Sequence, residues 1–300
     1  MAAVRAHLGG GEVSMDDTPS RCGLSSLDIV GVTIELEGQG LRLQVNDFYT
    51  APDFRKLAAL MTEDAERPLL VRLAGPGEPQ GAAAYVGVPY GGGSFGAWAD
   101  VARALPAPFY GVQNAHVDPK GLLEILKTLP HERFVLVGSC VGSGLAVALA
   151  ELLEVEGRLA GLCILGSVPP PAVRLYGRWF NPWLLRGPAA TNRALQKLSE
   201  KELRLGQREI AQLRADAAWF LRFLAQSRHV PIRAPVRLVY GEDDPMLRRV
   251  PARRRWERLL GRPVDICVLP GVKHDIVHTR AAQVAQQLET LLAKSDRTED

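Results

Sequence analysis

The feature that most constrains the fold is a cysteine flanked by glycines, between an apolar run and a helical run. The pentapeptide Gly138–Gly142, with the sequence GSCVG, follows Phe134–Val137 and precedes the alanine- and leucine-rich segment Leu145–Leu153. This order predicts a strand, a sharp turn and a helix. It matches the G-x-S-x-G pattern of a nucleophile on a strained turn, with cysteine in the serine position. The glycines allow close backbone approach there.

The alternative for Cys140 is a small buried hydrophobe, which is the usual state of a free cysteine. The predicted strand and helix on either side, and the further small residues Ser143 and Gly144, favour a nucleophile at the top of a sheet. Cys140 is therefore the candidate nucleophile.

From Leu69 onward, short apolar runs alternate with longer helical segments, whereas the residues before Leu69 are predicted to be helical. The predicted strands are Leu69–Leu73, Ala83–Val88, Phe109–Val112, Phe134–Gly138, Leu162–Leu165, Val236–Tyr240 and Asp265–Leu269. The predicted helices between them are Phe95–Leu105, Lys120–Leu129, Gly142–Leu153, Pro251–Leu260 and Arg280–Lys294. This alternation predicts an α/β fold with a doubly wound, mostly parallel sheet.

One segment interrupts the alternation. Residues 171–230 separate two predicted strands by far more than an ordinary connection, and they carry several tryptophan and phenylalanine residues. Insertions at this position overhang the carboxyl edge of open α/β sheets, so we predict a helical lid. An ordinary helical insertion that packs its own aromatic side chains is the alternative.

Composition excludes several classes of protein. A net charge of +3 over 300 residues is too small to indicate a nucleic-acid or membrane partner. The four cysteines show neither CxxC nor metal-ligand spacing, which favours reduced thiols in a cytoplasmic protein and no metal site. The N-terminus lacks the apolar core of a signal peptide, and no apolar run is long enough to span a membrane.

A nucleophilic cysteine needs a base, and the base needs an acid that orients it. On an elbow of this kind the chain order is nucleophile, acid, histidine. Two predicted strands downstream end in turn residues, and these turns contain Asp244 and His274. We predict His274 as the base, with His278 as its competitor, and Asp244 as the acid, with Asp243 second. The remaining histidines, at positions 7, 116, 131 and 229, are predicted to be surface or capping residues.

Acyl transfer also requires donors for an oxyanion. The backbone N–H of Val141, directly after the nucleophile, is the first candidate. Gly91, in the glycine run that follows the predicted strand Ala83–Val88, is the second. A phosphate-binding loop is the rival interpretation of this run, but no Gly-Lys-Ser/Thr follows it.

Residues 69–294 resemble a thioesterase domain of the α/β-hydrolase fold, the type that releases chains from polyketide synthases and nonribosomal peptide synthetases. Four motifs in order carry the resemblance: VPYGGGSFGAWADVARAL, FVLVGSCVGSGLAVALAELL, VRLVYGEDDP and LPGVKHDIV. The family usually has serine where Cys140 stands, and a minority of its members use cysteine.

The position of the acid differs from many integrated release domains of that family. Those domains carry an aspartate after the strand that follows the elbow, where this chain has Gly166. The resemblance therefore assigns the acid to Asp244, the position that stand-alone editing thioesterases use.

The segment GLSSLDIVGVTIELEGQGLRLQVNDFYTAPDFRKLAALM resembles the last two-thirds of an acyl or peptidyl carrier domain. The resemblance implies that Ser26 is the attachment site of a covalent 4'-phosphopantetheine, although Ser25 replaces the usual aspartate before it. A simple helix N-cap is the alternative role for Ser25 and Ser26.

The expected organisation is a small all-α carrier-like bundle over residues 1–64, a linker with the first strand region over 65–82, and an α/β-hydrolase thioesterase domain over 83–295. The resemblance implies a thioesterase that receives a polyketide or peptidyl chain from a phosphopantetheine thioester onto Cys140. Cyclisation, aminolysis or hydrolysis then releases the chain. The implied partners are the carrier-bound chain and upstream synthetase or synthase modules.

Three other classes stay open. They are a stand-alone proofreading thioesterase, a cysteine-dependent dienelactone hydrolase or polyester synthase on the same fold, and a non-catalytic scaffold.

Overall fold

A computed structural model of the chain describes most of its residues and divides them into two compact units. The described residues are 1–8, 12–19, 22–24, 26–39, 41, 43, 47–61, 68–74, 83–169, 207–224, 231–244 and 252–296. Unit 1 runs from Met1 to Val71, and unit 2 runs from Arg72 to Asp300.

The described part of unit 1 contains four helices. Its helices are α1 (Ala2–His7), α2 (Ser26–Gly38), α3 (Asp47–Thr50) and α4 (Phe54–Ala59). The side chain of Asp53 caps α4 by accepting a 2.7 Å hydrogen bond from the Lys56 N–H. The apolar faces share one core, whose members include Val4, Ile29, Val32, Phe48, Phe54 and Leu57.

Unit 2 is built on a seven-stranded sheet, and the first strand of this sheet begins with the last two residues of unit 1. The strands are β1 (Leu70–Ala74), β2 (Ala84–Val88), β3 (Phe109–Val112), β4 (Phe134–Ser139), β5 (Leu159–Leu165), β6 (Val236–Gly241) and β7 (Asp265–Leu269). Their order in the sheet is β1-β3-β2-β4-β5-β6-β7. The pairings of β2 with β3 and β4, and of β4 through β7 in sequence, are parallel. The predicted doubly wound, mostly parallel sheet is confirmed.

Helices cover the sheet. They are a 3-10 turn (Phe95–Trp98) continued by α5 (Ala99–Arg103), α6 (Pro119–Lys127), α7 (Ser143–Val155), α8 (Gln207–Leu224), α9 (Ala252–Leu260), α10 (Ile276–Thr279) and α11 (Ala281–Asp296). None of the helices in the described ranges is long and apolar enough to cross a membrane.

Only part of the predicted lid falls on described residues. Helix α8 packs on α7, where a Cβ added to Gly144 would lie 2.5 Å from the ring of Phe220. The rest of 171–230 lies outside the described residues, as does much of the predicted 65–82 region.

The strand order explains where a site forms. Strand β2 has β3 on one side and β4 on the other, so the chain reverses its winding direction between β2 and β4. The loops after β2 and β4 leave the sheet toward opposite faces and open a crevice at this point. The loop with Gly91 and the turn with Cys140 therefore meet at the same carboxyl edge.

Two predictions needed correction. Strand β5 begins at Leu159, three residues before the predicted start, because Leu159 already pairs with Phe134 and Gly161 with Val135. The small residues Ala160 and Gly161 resemble a turn in the sequence, yet they are buried. His131 is not a surface residue: it is 2% exposed, and its Nε2 lies 2.9 Å from the Tyr110 hydroxyl.

Candidate active site

Cys140 lies in a strained turn between β4 and α7. Its φ is 51°, and it is the one residue other than glycine with a positive φ among the described residues. A 3-10 turn over Cys140–Gly142 leads directly into α7, which begins at Ser143. An L-residue in this left-handed conformation costs about 1 kcal/mol or more, so the surrounding packing must hold it there.

Comparing two substitutions at Cys140 isolates this strain. We expect Cys140→Gly to be about 1 kcal/mol more stable than Cys140→Ala, because glycine adopts a positive φ without the Cβ clash. At Ala150, within α7, the order should reverse, and Ala150→Gly should be destabilised by about 1 kcal/mol. Urea unfolding measures both. A Cys140→Gly protein no more stable than Cys140→Ala would show that the turn is unstrained.

Backbone segments pack closely around the turn at glycines. A Cβ added to Gly142 would lie 2.0 Å from the Pro89 carbonyl oxygen, in the loop after β2. A Cβ added to Gly138 would lie 2.7 Å from the Cα of Ser143. No side chain fits at either position, so the glycines of the pentapeptide are required by close approach of the main chain.

We expect Gly142→Ala to destabilise the protein by about 3 kcal/mol, because the new methyl group meets backbone that cannot rotate away. The matched control is Gly121→Ala in α6, where an added Cβ comes no closer than 3.5 Å to another group. Alanine there should stabilise the helix by about 0.5–1 kcal/mol. The midpoint of urea unfolding gives both values, and equal effects at the two glycines would contradict the close approach at Gly142.

The turns after β6 and β7 bring Asp244 and His274 together. The Asp243 N–H donates a 2.9 Å hydrogen bond to the Val272 carbonyl, which ties the two turns to each other. The Nδ1 of His274 lies 2.9 Å from Oδ2 of Asp244. Asp244 is fully buried, whereas the His274 side chain is 41% exposed. The buried carboxylate therefore orients the imidazole and leaves its Nε2 for another partner.

The Cys140 side chain is also a hydrogen-bond partner of His274. The pKa of His274 is raised from 6.5 to about 10, firstly by the hydrogen bond that its ring donates to Asp244 and secondly by a hydrogen bond with the Cys140 side chain. Burial acts in the opposite direction and is outweighed. The structure thus brings the predicted nucleophile, base and acid into one connected row. The competitors do not join it: Asp243 is exposed, and the Nε2 of His278 lies 3.3 Å from the Tyr90 hydroxyl.

Gly166 directly follows β5 and lies beside this pair of His274 and Asp244. Its φ is 55°, and an added Cβ would lie 3.2 Å from Nδ1 of His274 and 3.3 Å from Oδ2 of Asp244. A side chain at residue 166 would therefore press on the bond between the histidine and its acid. Glycine at this position and the acid at Asp244 are compatible with each other.

The two predicted oxyanion donors are neighbours. Gly91 is buried in the loop after β2, and a Cβ added to it would lie 2.7 Å from Cγ2 of Val141. Val141 itself follows the nucleophile in the 3-10 turn. Their proximity fits a shared role beside Cys140.

The sequence did not indicate a second polar cluster beside this loop. Asp216 of α8 is fully buried, and its Oδ1 lies 2.6 Å from Nδ1 of His116. Its Oδ2 accepts a 2.8 Å hydrogen bond from the Gly92 N–H, next to Gly91. The prediction of His116 as a mere surface or capping residue therefore needs revision. The nearest signal in the sequence was Asp216 within the apolar stretch Ile210–Leu224.

Comparisons with solved structures show which proteins share this architecture. The type II thioesterase BorB from the borrelidin biosynthetic cluster superposes with a TM-score of 0.53 and 20% identity, over 76% of this chain and 100% of its own. The RedJ thioesterase from the prodiginine pathway of Streptomyces coelicolor gives a TM-score of 0.54 and 20% identity, over 76% and 96%.

The chain has the α/β-hydrolase fold of these thioesterases. AB3403, a four-domain nonribosomal peptide synthetase, matches with a TM-score of 0.53 and 16% identity; here 96% of this chain aligns with 25% of the synthetase. No protein-family model matches the sequence, and no curated protein matches it significantly.

Proposed function

We propose that the chain is a thioesterase that accepts an acyl chain from a phosphopantetheine thioester onto Cys140 and then releases it. The observation that carries this proposal is the connected row of Cys140, His274 and Asp244 on a strained turn of this fold. Similarity of fold to thioesterases of polyketide and nonribosomal peptide pathways supports the substrate class.

In the first step, His274 takes the proton of the Cys140 thiol and the sulfur attacks the thioester carbonyl, so that a bond forms between Sγ and the carbonyl carbon. The backbone N–H groups of Val141 and Gly91 stabilise the oxyanion. As the tetrahedral intermediate collapses, the bond to the leaving sulfur breaks and His274 gives it a proton. The chain then rests on Cys140 as a new thioester.

In the second step, His274 takes the proton of an incoming nucleophile, which attacks the acyl carbon. The bond between that carbon and Sγ then breaks, and His274 returns the proton to the sulfur, which regenerates the Cys140 thiol. A serine nucleophile would turn the thioester into a less activated oxoester, whereas cysteine exchanges one thioester for another at nearly equal free energy. The preserved activation suits aminolysis or ring closure as well as hydrolysis.

The proposal extends to Ser26 as the attachment site of 4'-phosphopantetheine, which would supply the thiol that carries the chain. Ser26 is the first residue of α2, and its side chain and Ser25 lie outside the described residues. Negative charge near a helix N-terminus is stabilised by the helix dipole, which would suit a phosphate attached at this end of α2. The match to the four-domain synthetase extends over 96% of this chain and so reaches into unit 1, which supports a carrier-like role for that unit.

A stand-alone editing thioesterase is the second candidate. The description of BorB as a type II thioesterase favours it, as does an acid after β6 rather than after β5. In this case unit 1 would carry no phosphopantetheine, and the substrate would arrive on separate synthetase or synthase modules.

Intact-protein mass spectrometry separates these possibilities. The chain is incubated with a phosphopantetheinyl transferase and coenzyme A, and then with an acyl-pantetheine thioester; Ser26→Ala and Cys140→Ala serve as controls. We expect a phosphopantetheine adduct that Ser26→Ala abolishes, and an acyl adduct that Cys140→Ala abolishes. An acyl adduct without the phosphopantetheine adduct would select the editing thioesterase. Absence of any acyl adduct on Cys140 would overturn the thioesterase proposal.

A further inference from the structure

The buried carboxylate of Asp216 joins three separate segments next to the candidate site. Its Oδ2 accepts from the Gly92 N–H at 2.8 Å, in the loop after β2. Its Oδ1 lies 2.6 Å from Nδ1 of His116, in the segment after β3, and 3.1 Å from Nε2 of Gln212, one turn earlier in α8. Both oxygens are therefore used, and helix α8 is tied to both segments.

These hydrogen bonds offset the free-energy cost of burying the Asp216 carboxylate. Asp216 has no solvent exposure, and a buried carboxylate is tolerated only when donors surround it. One of these donors is the N–H of Gly92, the residue that follows the proposed oxyanion donor Gly91. The Cβ of Asp216 lies 3.7 Å from where a Cβ on Gly91 would stand.

The same turn of α8 also covers Gly91. A Cβ added to Gly91 would lie 2.4 Å from Cδ1 of Leu213, so this side chain closes the space on one side of the glycine. Helix α8 also contacts the 3-10 turn that holds Cys140. The helix thus contacts both parts of the predicted oxyanion site.

The loop is held from a second direction as well. The Tyr90 hydroxyl lies 3.3 Å from Nε2 of His278 in α10, and the two rings contact edge to face with centroids 5.8 Å apart. Gly91 therefore lies between Tyr90 and Gly92, each of which contacts a different helix. These two attachments flank the Gly91 N–H, and the one through Asp216 is buried.

We propose that Asp216 is a positioning residue for acyl transfer: its carboxylate holds the loop after β2 so that the Gly91 N–H is directed at the oxyanion formed at Cys140. The inference rests on the proposed function, because it assigns a role within that acyl transfer. In this role Asp216 acts through the backbone of Gly92.

The test compares two reactions of Cys140. Acylation by a p-nitrophenyl ester, followed by the burst of p-nitrophenolate, passes through an oxyanion and needs the Gly91 N–H. Alkylation by iodoacetamide is displacement at a saturated carbon and forms no oxyanion, so it reports on the thiol and His274 alone. The variants are Asp216→Ala and Asp216→Asn, and the control is Arg222→Ala, which changes an exposed residue of the same helix.

We expect Asp216→Ala to slow acylation by about 30- to 100-fold through its maximal rate, with the half-saturating ester concentration within about threefold of that of the unchanged protein. Asp216→Asn keeps an oxygen that can accept from Gly92 and should recover most of the rate, to within about tenfold. In both variants the rate of alkylation should stay within about twofold of that of the unchanged protein. Arg222→Ala should change the rate of neither reaction.

Equal slowing of acylation and alkylation in both variants would overturn the proposal, because Asp216 would then act on the fold or on the pair of Cys140 and His274. Unchanged acylation would also overturn it. If the unchanged protein reacts with the aryl ester but not with pantetheine thioesters, the proposed function fails while the Asp216 comparison still decides the positioning role. If Cys140 is alkylated but acylated by neither compound, both proposals fail.

Discussion

Cys140→Ala is expected to lower the rate of chain transfer from a pantetheine thioester by at least about 10⁴-fold. The change removes the sulfur that forms the covalent intermediate, and the oxyanion donors alone give only residual catalysis. Single-turnover assays with an acyl-pantetheine thioester measure the rate, and mass spectrometry follows the acyl adduct. The control is Cys267→Ser, which changes a partly buried cysteine of β7 and should leave the rate unchanged.

Cys140→Ser refines this prediction. Serine is a much weaker nucleophile than a thiolate, so acylation should slow by about 100-fold. The resulting oxoester is also less activated, so the remaining turnover should shift from attack by an amine toward hydrolysis. Liquid chromatography of the products formed with a competing amine measures the ratio. A serine variant with the same products and an undiminished rate would show that the cysteine has no special role.

Asp244→Asn is expected to lower the same rate by about 10²- to 10⁴-fold at pH 7. An amide cannot stabilise the imidazolium form of His274 and can hold the ring in the wrong tautomer. Asp243→Asn is the matched control, because Asp243 is the adjacent carboxylate and is exposed. It should stay within about threefold of the unchanged protein. A larger loss from Asp243→Asn than from Asp244→Asn would reassign the acid.

The pH dependence of the acylation rate should shift to lower pH in Asp244→Asn. Asp244 is the largest cause of the raised pKa of His274, which is about 10 in the unchanged protein. The imidazolium form of His274 should therefore persist to about pH 10, where the upper limb of the acylation profile is expected. In Asp244→Asn this limb should move to lower pH, toward the ordinary histidine value of about 6.5. An upper limb that stays in place would contradict the coupling.

The free energy of unfolding should also depend on pH through His274. The pKa of His274 is higher in the folded protein than the unfolded value of about 6.5, so its contribution to stability is complete below pH 6.5. That contribution is lost as the pH rises through about 10. The difference in unfolding midpoint between the unchanged protein and Asp244→Asn should therefore shrink between pH 6.5 and pH 10.

The local patterns in the sequence predicted the sheet and the nucleophile turn well. Strands Phe109–Val112 and Asp265–Leu269 have the predicted bounds, because apolar residues and turn formers delimit them within a few positions. The turn at Cys140 was predictable for a similar reason. Gly138 and Gly142 lie where other main-chain segments approach so closely that only glycine fits, and this need for glycine is visible in the pentapeptide itself.

The start of β5 could not be read in this way. Ala160 and Gly161 have weak strand preference, yet they are buried between β4 and β6 in the sheet. His131 is similar, because its burial depends on Tyr110, which lies 21 residues away. Contacts with neighbouring parts of the fold determine the strand conformation of Ala160 and Gly161 and the burial of His131, and they outweigh the local preferences of these residues.

The sequence by itself determined the alternation of strands and helices, the strained turn at Cys140 and the order in which nucleophile, acid and histidine follow along the chain. Only the tertiary structure decided that Gly166 leaves room for the pair of Asp244 and His274. It alone decided that Asp216 binds the Gly92 N–H across 124 residues. Short-range patterns are encoded in the preferences of adjacent residues, whereas such contacts arise when the sheet brings the ends of distant strands to one edge.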